Sequence, residues 1–318
     1  MSVVYCILYA ERKFYIGPKI ANVGSVNHLT LLSSILLGVL QGITEFLPVS
    51  SSGHLAIAEH LLHFSGASDV PPFFDVLLHL GTLIAVFIAY WEDILEMIQE
   101  FFLGVGDIVH GTTPVPAPPA RRMIVLIIAG TLPLFAVLPV KDVVEGLKDN
   151  LYFVAGALIV TGFLLFASDR VRRGRKTEKS ASLLSALLVG AGQAVATCPG
   201  ISRSGMTICM GCFRGLERKF AVRFAFLLSI PAVLGANLLQ IKDVAEAGGV
   251  DVKLLPVYLA GLAVAAVSGY LSICLVRMVA NKGKFGAFAY YCWAAGAVTI
   301  ALSVVRTAAG GVVPWAAA

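Results

Sequence analysis

The sequence predicts an all-α integral membrane protein: six transmembrane helices plus two re-entrant helical hairpins, arranged as an inverted-topology repeat. Three observations carry that expectation. The chain is too apolar for water, its apolar stretches have membrane length, and two of them are interrupted at matching places. Of 318 residues, 58% are hydrophobic and 14% charged, against about 45–50% and about 25% in soluble domains. Lipid must cover what the polar surface cannot. The formal charge of +5 does not point to nucleic acid, because the basic residues gather in short loops between apolar runs, the pattern that orients membrane proteins.

A membrane helix needs about 20 largely apolar residues. Phe73–Trp91, Met123–Val140, Leu151–Ser168, Phe220–Gln240, Leu254–Met278 and Phe285–Arg306 meet or nearly meet that length. Leu29–His63 and Ser182–Phe213 are each long enough for two short helices, and each is broken centrally by Pro, Gly and Ser. Irregular backbone at membrane depth survives only where protein or a watery cavity covers it, so these regions read as hairpins facing each other inside the bundle. The Asp169–Lys179 loop carries six Lys and Arg residues and is expected to be cytoplasmic. Arg121-Arg122, Arg214–Lys219 and Arg277–Lys284 fall on the same side of a six-span arrangement. Ser65–Pro72, Lys141–Asn150 and Ile241–Lys253 then fall outside. The acidic Glu92–Gly111 stretch weighs weakly against this orientation, and the proline-rich Gly111–Ala120 reads as a loop.

The halves align on themselves. Leu31-Leu32-Ser33 matches Leu183-Leu184-Ser185, Gln41 falls on Gln193 and Ser52-Gly53 on Ser204-Gly205, all at an offset of 152. Phe74-x-x-Leu77-Leu78 matches Phe224-x-x-Leu227-Leu228 at 150. Paired interrupted segments in an inverted repeat point to a binding site near the membrane midplane. One membrane domain over 29–318 is expected, with repeats at about 29–168 and 182–306.

Ionisable groups in the apolar regions cost about 2.5–3.5 kcal/mol each at a helix centre, so they default to functional candidates. Glu45 lies four residues after Gln41, which puts both on one helix face. His54 follows the first break and Arg203 lies within the second; Asp75 and His79 share a face early in the first span. The breaks, Pro48-Val49-Ser50-Ser51-Ser52-Gly53-His54 and Pro199-Gly200-Ile201-Ser202-Arg203-Ser204-Gly205, each lead into a new helix. Backbone N–H groups and hydroxyls at a helix start attract anions, and two such starts flanking a guanidinium suit a phosphate or diphosphate. A carboxylate there requires either a bridging divalent cation or a role for Glu45 as proton acceptor. The Cys209-x-x-Cys212 pair lacks a second pair to complete a zinc site and reads as core.

Gly38-Val39-Leu40-Gln41-Gly42-Ile43-Thr44-Glu45-Phe46-Leu47-Pro48-Val49-Ser50-Ser51-Ser52-Gly53-His54 resembles the first signature of the undecaprenyl-diphosphate phosphatase family, also called the bacitracin-resistance protein family. Pro199-Gly200-Ile201-Ser202-Arg203-Ser204-Gly205-Met206-Thr207 resembles the second, and the agreement runs from about Leu29 to Arg306. The resemblance implies hydrolysis of a polyprenyl diphosphate to the monophosphate in a bacterial cytoplasmic (inner) membrane, with a divalent cation, Mg2+ or Ca2+, as cofactor. It puts Gln41, Glu45, Ser51, His54, Arg203 and Thr207 in the site. Gln41 is the amide variant of the family's (E/Q)-x-x-x-E motif, which leaves Glu45 as the one certain carboxylate. On this reading Arg203 and the residues Ser50, Ser52, Gly53, Ser202, Ser204, Gly205 and Thr207 bind the diphosphate. Glu45 and Gln41 bind metal or steer protons, and His54 or Ser51 attacks phosphorus or activates water. Type-2 phosphatidic acid phosphatases place a His shortly after Ser-Arg; no His follows Arg203 in this chain. The rival from another class is a transporter or lipid flippase using the same midplane site. A homodimer stands as an open alternative to a monomer. The site is expected to open to the outer, periplasmic side, and the first 28 residues are expected to be a surface extension outside catalysis.

Overall fold

The computed structural model describes residues 29–61, 72–112, 114, 116–246, 252–282 and 284–308. The expected N-terminal extension and most of the expected Ser65–Pro72 connection lie outside them. Among the described residues every extended element is a helix, and the only β-type pairing is an isolated bridge between Lys176 and Leu216.

Both interrupted regions fold as two short helices, as their Pro-Gly-Ser breaks require. The first gives α1 (Leu31–Phe46) and α2 (Ser51–Leu61). After them come α3 (Pro72–Ala89), α4 (Trp91–His110), α5 (Pro119–Thr131), the short α6 (Lys141–Gly146) and α7 (Leu151–Arg170). The second interrupted region gives α8 (Leu183–Val195) and α9 (Arg203–Phe213). The chain closes with α10 (Arg218–Glu246), α11 (Leu255–Lys282) and α12 (Gly286–Ala308). Five helical stretches are long and apolar enough to cross a membrane, and a sixth is counted if α3 and α4 are taken as one bent span.

Two expected spans differ in detail. The first was placed over Phe73–Trp91, but the helix stops at Ala89 and the chain turns by 82° at Tyr90 into α4. The acidic stretch, which none of the expected spans covers, is a 20-residue helix. It has three faces: Ile94 and Gly104 are buried, Glu92, Glu96 and Gln99 are polar, and Trp91, Leu95, Ile98, Phe102, Val105 and Val109 form an exposed apolar stripe. The second, Met123–Val140, is α-helical only to Thr131 and continues as 3-10 turns over Leu132–Ala136 and Leu138–Val140. Pro133 and Pro139 each lack the N–H that would extend the α-helical ladder.

Packing depends on small residues, as expected where lipid is as apolar as leucine and helices associate by close approach. A Cβ on Gly38 would lie 2.6 Å from the Gly261 carbonyl oxygen, and one on Gly190 would overlap the Gly130 carbonyl. These are equivalent crossings: α1 on α11 and α8 on α5. Gly190 follows Gly38 by 152 residues, but Gly261 follows Gly130 by only 131. The difference of 21 matches the 20 residues of α4, so α4 is extra to the first half. The hydrogen bonds repeat as well. Thr30 Oγ1 accepts from Ser33 N and Ser182 Oγ from Ser185 N, each at 3.2 Å.

Candidate phosphate site

The two breaks meet. Gly200 N donates to Ser52 Oγ at 3.4 Å, Ser204 Oγ donates to the Leu47 carbonyl at 3.1 Å, and a Cβ on Gly53 would lie 3.1 Å from Gly200 Cα. Each break ends in the same N-cap: Ser50 Oγ accepts from Gly53 N at 3.2 Å, and Ser202 Oγ accepts from Gly205 N at 3.1 Å. The neighbouring hydroxyls pair alike, Ser50 with Ser52 at 3.3 Å and Ser202 with Ser204 at 3.2 Å. The backbone N–H groups of Gly53 and Gly205, expected to face an anion, are thus taken by their own caps. Ser50 has a positive φ of 72°, unusual for a residue with a side chain, and it turns the chain abruptly from the end of α1 into α2.

Matching positions carry opposite chemistry. At the offset of 152, Ser51 corresponds to Arg203 and Glu45 to Thr197. The Arg203 guanidinium forms an ion pair with Glu45 Oε1 across the meeting point. Glu45 Oε2 accepts from Ser51 Oγ at 2.8 Å and from Gln41 Nε2 at 3.1 Å. Gln41 is fully buried, and its Oε1 has no partner among the described residues.

This cluster lies in the wall of a cavity of about 620 Å3. Glu45, Ser50, Ser51, Ser52, Ser202 and Arg203 line its polar end. The rest is mostly apolar and runs between the 3-10 turns after α5 and the α10 segment from Pro231 to Gln240. It reaches Lys141, Val144 and Glu145 in α6.

Of the residues expected in the site, Gln41, Gly53, Ser204, Gly205 and Thr207 stand behind the wall. The Thr207 hydroxyl donates to the Arg203 carbonyl at 2.9 Å, within its own helix. His54 is also outside the lining: Nδ1 meets the Ser50 carbonyl at 2.7 Å, and Nε2 meets the Tyr291 hydroxyl at 2.7 Å. Its ring stacks on Tyr291 at 5.6 Å. Conversely, His79 does line the cavity. Its Nδ1 lies 3.0 Å from the Asp75 carbonyl and 3.6 Å from Asp75 Oδ1, and Gln240 Nε2 donates to Asp75 Oδ2 at 3.0 Å. The i, i+4 pair of Asp75 and His79 was visible in the sequence; Gln240 carried no signal there.

Broken helices meeting at a buried ion pair, with hydroxyls facing a cavity that becomes apolar, define a polytopic membrane protein built to hold the polar head of an amphiphile. The comparisons with known proteins specify it further: residues 34–298 match the family model described as "Bacitracin resistance protein BacA", and the chain belongs to that family. It is 43% identical over 283 residues to the undecaprenyl-diphosphatase of Methanosphaera stadtmanae, covering 87% of this chain and 99% of that one. Identity is 39% over 278 residues with the undecaprenyl-diphosphatase of Alkaliphilus metalliredigens, covering 87% and 100%. With that of Syntrophotalea carbinolica it is 41% over 276 residues, covering 86% and 100%.

Proposed function

We infer that this protein is an undecaprenyl-diphosphatase. It hydrolyses the lipid diphosphate to undecaprenyl phosphate and inorganic phosphate, returning the carrier lipid to cell-wall synthesis and conferring bacitracin resistance. The observation that carries the reading is the Glu45–Arg203 pair at the polar end of a cavity whose remainder is apolar. A transporter would share the midplane site, but the relatives described are phosphatases throughout.

Arg203 holds the phosphoryl oxygens, where the guanidinium fork suits a diphosphate, and stabilises charge developing in the transition state. Ser51 Oγ already donates to Glu45 Oε2 at 2.8 Å, the geometry of a nucleophile with its base. Ser51, or a water in its place, attacks the terminal phosphorus as its proton passes to Glu45. The bridging P–O bond breaks, and the lipid monophosphate leaves with the bonding pair and takes the proton back from Glu45. Where Ser51 is the attacking group, water then hydrolyses the phosphoserine with Glu45 again as base, and inorganic phosphate is released. His54, with both ring nitrogens engaged elsewhere, is better placed to hold the Ser50 turn than to attack.

The donor set fits a divalent cation held jointly with substrate. Glu45 is a hard oxygen donor at the cavity wall and the unpartnered Gln41 Oε1 lies behind it, whereas the described residues contain no cluster of three or more His, Cys, Asp or Glu that could hold a metal without substrate. Mg2+ is typically bound by one or two carboxylates plus substrate phosphates and water. Such an ion would neutralise Glu45 against the diphosphate and free Arg203 for substrate.

The proposed architecture has six spans: α3, α5 with its 3-10 extension, α7, α10, α11 and α12. Helices of 16 and 11 residues, and of 13 and 11, are too short to span and form the re-entrant pairs,. The protein lies in the bacterial cytoplasmic membrane, and its cavity opens outward past α6.

Phosphate release from a polyprenyl diphosphate by detergent-purified protein, with and without chelator and beside Glu45→Ala, tests the reading. Metal-dependent release lost in the variant is expected. No release from folded wild-type protein that still binds lipid would turn the reading to transport.

A further inference from the structure

Gln193 lies on α8, is 1% exposed, and lines the same cavity as Glu45, Ser202 and Arg203. Neither its Nε2 nor its Oε1 has a hydrogen-bond partner among the described residues. Buried amides are nearly always paired, so an amide with both ends free at a cavity wall is matched to something that enters the cavity. The repeat explains how it became free. Its counterpart Gln41 donates Nε2 to Glu45, four residues on. In the second half the residue four positions on is Thr197, whose hydroxyl turns back to the Ala194 carbonyl at 2.7 Å. With threonine where the first half has its carboxylate, Gln193 stands at the cavity wall with a buried donor and a buried acceptor that no neighbour among the described residues satisfies.

We propose that Gln193 is a substrate-binding residue, contacting the terminal phosphoryl group of the diphosphate. Its Nε2 donates to a P–O− oxygen and its Oε1 accepts from a P–OH. The contact adds specificity without charge: Arg203 attracts any phosphate, whereas the amide matches a phosphoryl group bearing both an ionised and a protonated oxygen. The proposal rests on the cavity being the diphosphate site.

Gln193→Leu keeps the side chain's approximate volume and removes both polar atoms. It is measured beside wild type and Arg203→Ala for phosphate release, and for melting temperature with and without a methylene-bridged polyprenyl diphosphonate. The expected result is a ligand-free melting temperature at or above wild type, a fall of about 10- to 100-fold in kcat/KM and a smaller shift with the diphosphonate. Gln193→Glu, which sets a carboxylate against the phosphate, should lose more activity than Gln193→Leu and supplies the same comparison if the leucine variant fails to fold. Wild-type kinetics in Gln193→Leu, with Arg203→Ala inactive, would overturn the assignment of Gln193 alone. A lowered melting temperature with an undiminished diphosphonate shift would make the amide structural and likewise overturn it. Full turnover in Arg203→Ala would remove the site reading and Gln193 with it.

Discussion

Glu45 exposes only 6% of its side chain and Arg203 24%, so the two charges are unequally protected. Removing one partner of a buried pair costs about 3–5 kcal/mol because the other charge is left uncompensated; the partial exposure of Arg203 lowers that figure. Arg203→Ala should therefore lower the melting temperature as well as abolish turnover, and Glu45→Gln added to it should restore the melting temperature but not activity. A double variant as unstable as Arg203→Ala alone would show that the pair is not what couples the two hairpins. Ser50 makes a second residue-level case. Its φ of 72° favours glycine,, while its hydroxyl caps Gly53 N. Ser50→Gly loses the cap but relieves the strain of the positive φ; Ser50→Ala loses the cap and keeps the strain. The alanine variant should be the less stable by about 1 kcal/mol in thermal melts, and equal losses in the two variants would locate the value of Ser50 in its hydroxyl alone. At this scale the sequence reveals charges in apolar runs, which is why Glu45 and Arg203 stood out. It pairs Gln193 with Gln41 through the repeat but is silent about rotamers, so neither the unsatisfied amide of Gln193 nor the stacking of the His54 ring on Tyr291 could be read from it.

Helices were legible to the degree that their periodicity and their breakers agree. Both hairpins could be drawn from Pro, Gly and Ser interrupting apolar runs, and the structure puts the short helices there. The bend at Tyr90 could not, because hydropathy continues from α3 into α4 while the direction does not, and no Pro or Gly marks the turn. The 3-10 stretch after α5 was foreshadowed by Pro133 and Pro139, which a window of average hydropathy ignores. Close packing at glycines gives the test of the element-level description. Gly190→Val should disrupt the crossing of α8 on α5, since even a Cβ overlaps the Gly130 carbonyl, with a loss of about 1–3 kcal/mol from overpacking. Gly156→Ala, with open space around it, should be neutral or slightly stabilising through helix propensity. Equal melting temperatures for the two variants would contradict the crossing.

Across the whole molecule, charge sorts by end. The basic loop after α7 pairs with the one after α9 through Lys176 N to the Gly215 carbonyl at 3.1 Å and Glu217 N to the Lys176 carbonyl at 2.8 Å. Asp169 accepts from Phe285 N at 3.0 Å, and Arg122 donates to the Glu178 and Ala181 carbonyls at 2.9 and 3.0 Å. All four basic segments therefore share one end of the bundle. The acidic α4 joins them there through an ion pair between Asp93 and Arg223 and through Arg121, 3.0 Å from Glu100 and 2.8 Å from Asp107. The acidic stretch that weighed against the orientation is thus partly neutralised by Arg223 and by Arg121, the latter one of the arginines that argue for it. Lys141, Val144 and Glu145, at the cavity, precede α7, which runs from Leu151 to Arg170, so they lie at the opposite end from the basic loops. The orientation proposed from the positive-inside rule would put the basic end in the cytoplasm and the cavity mouth outside, where phosphate would be released. Single cysteines at Asp142 and Arg173, in a background lacking the native cysteines, decide it. With a membrane-impermeant maleimide on intact cells whose outer layers admit it, Asp142→Cys should label at once and Arg173→Cys only after permeabilisation. The opposite pattern would turn the protein over in the membrane and direct the released phosphate into the cytoplasm, leaving the chemistry of Glu45, Ser51 and Arg203 unchanged.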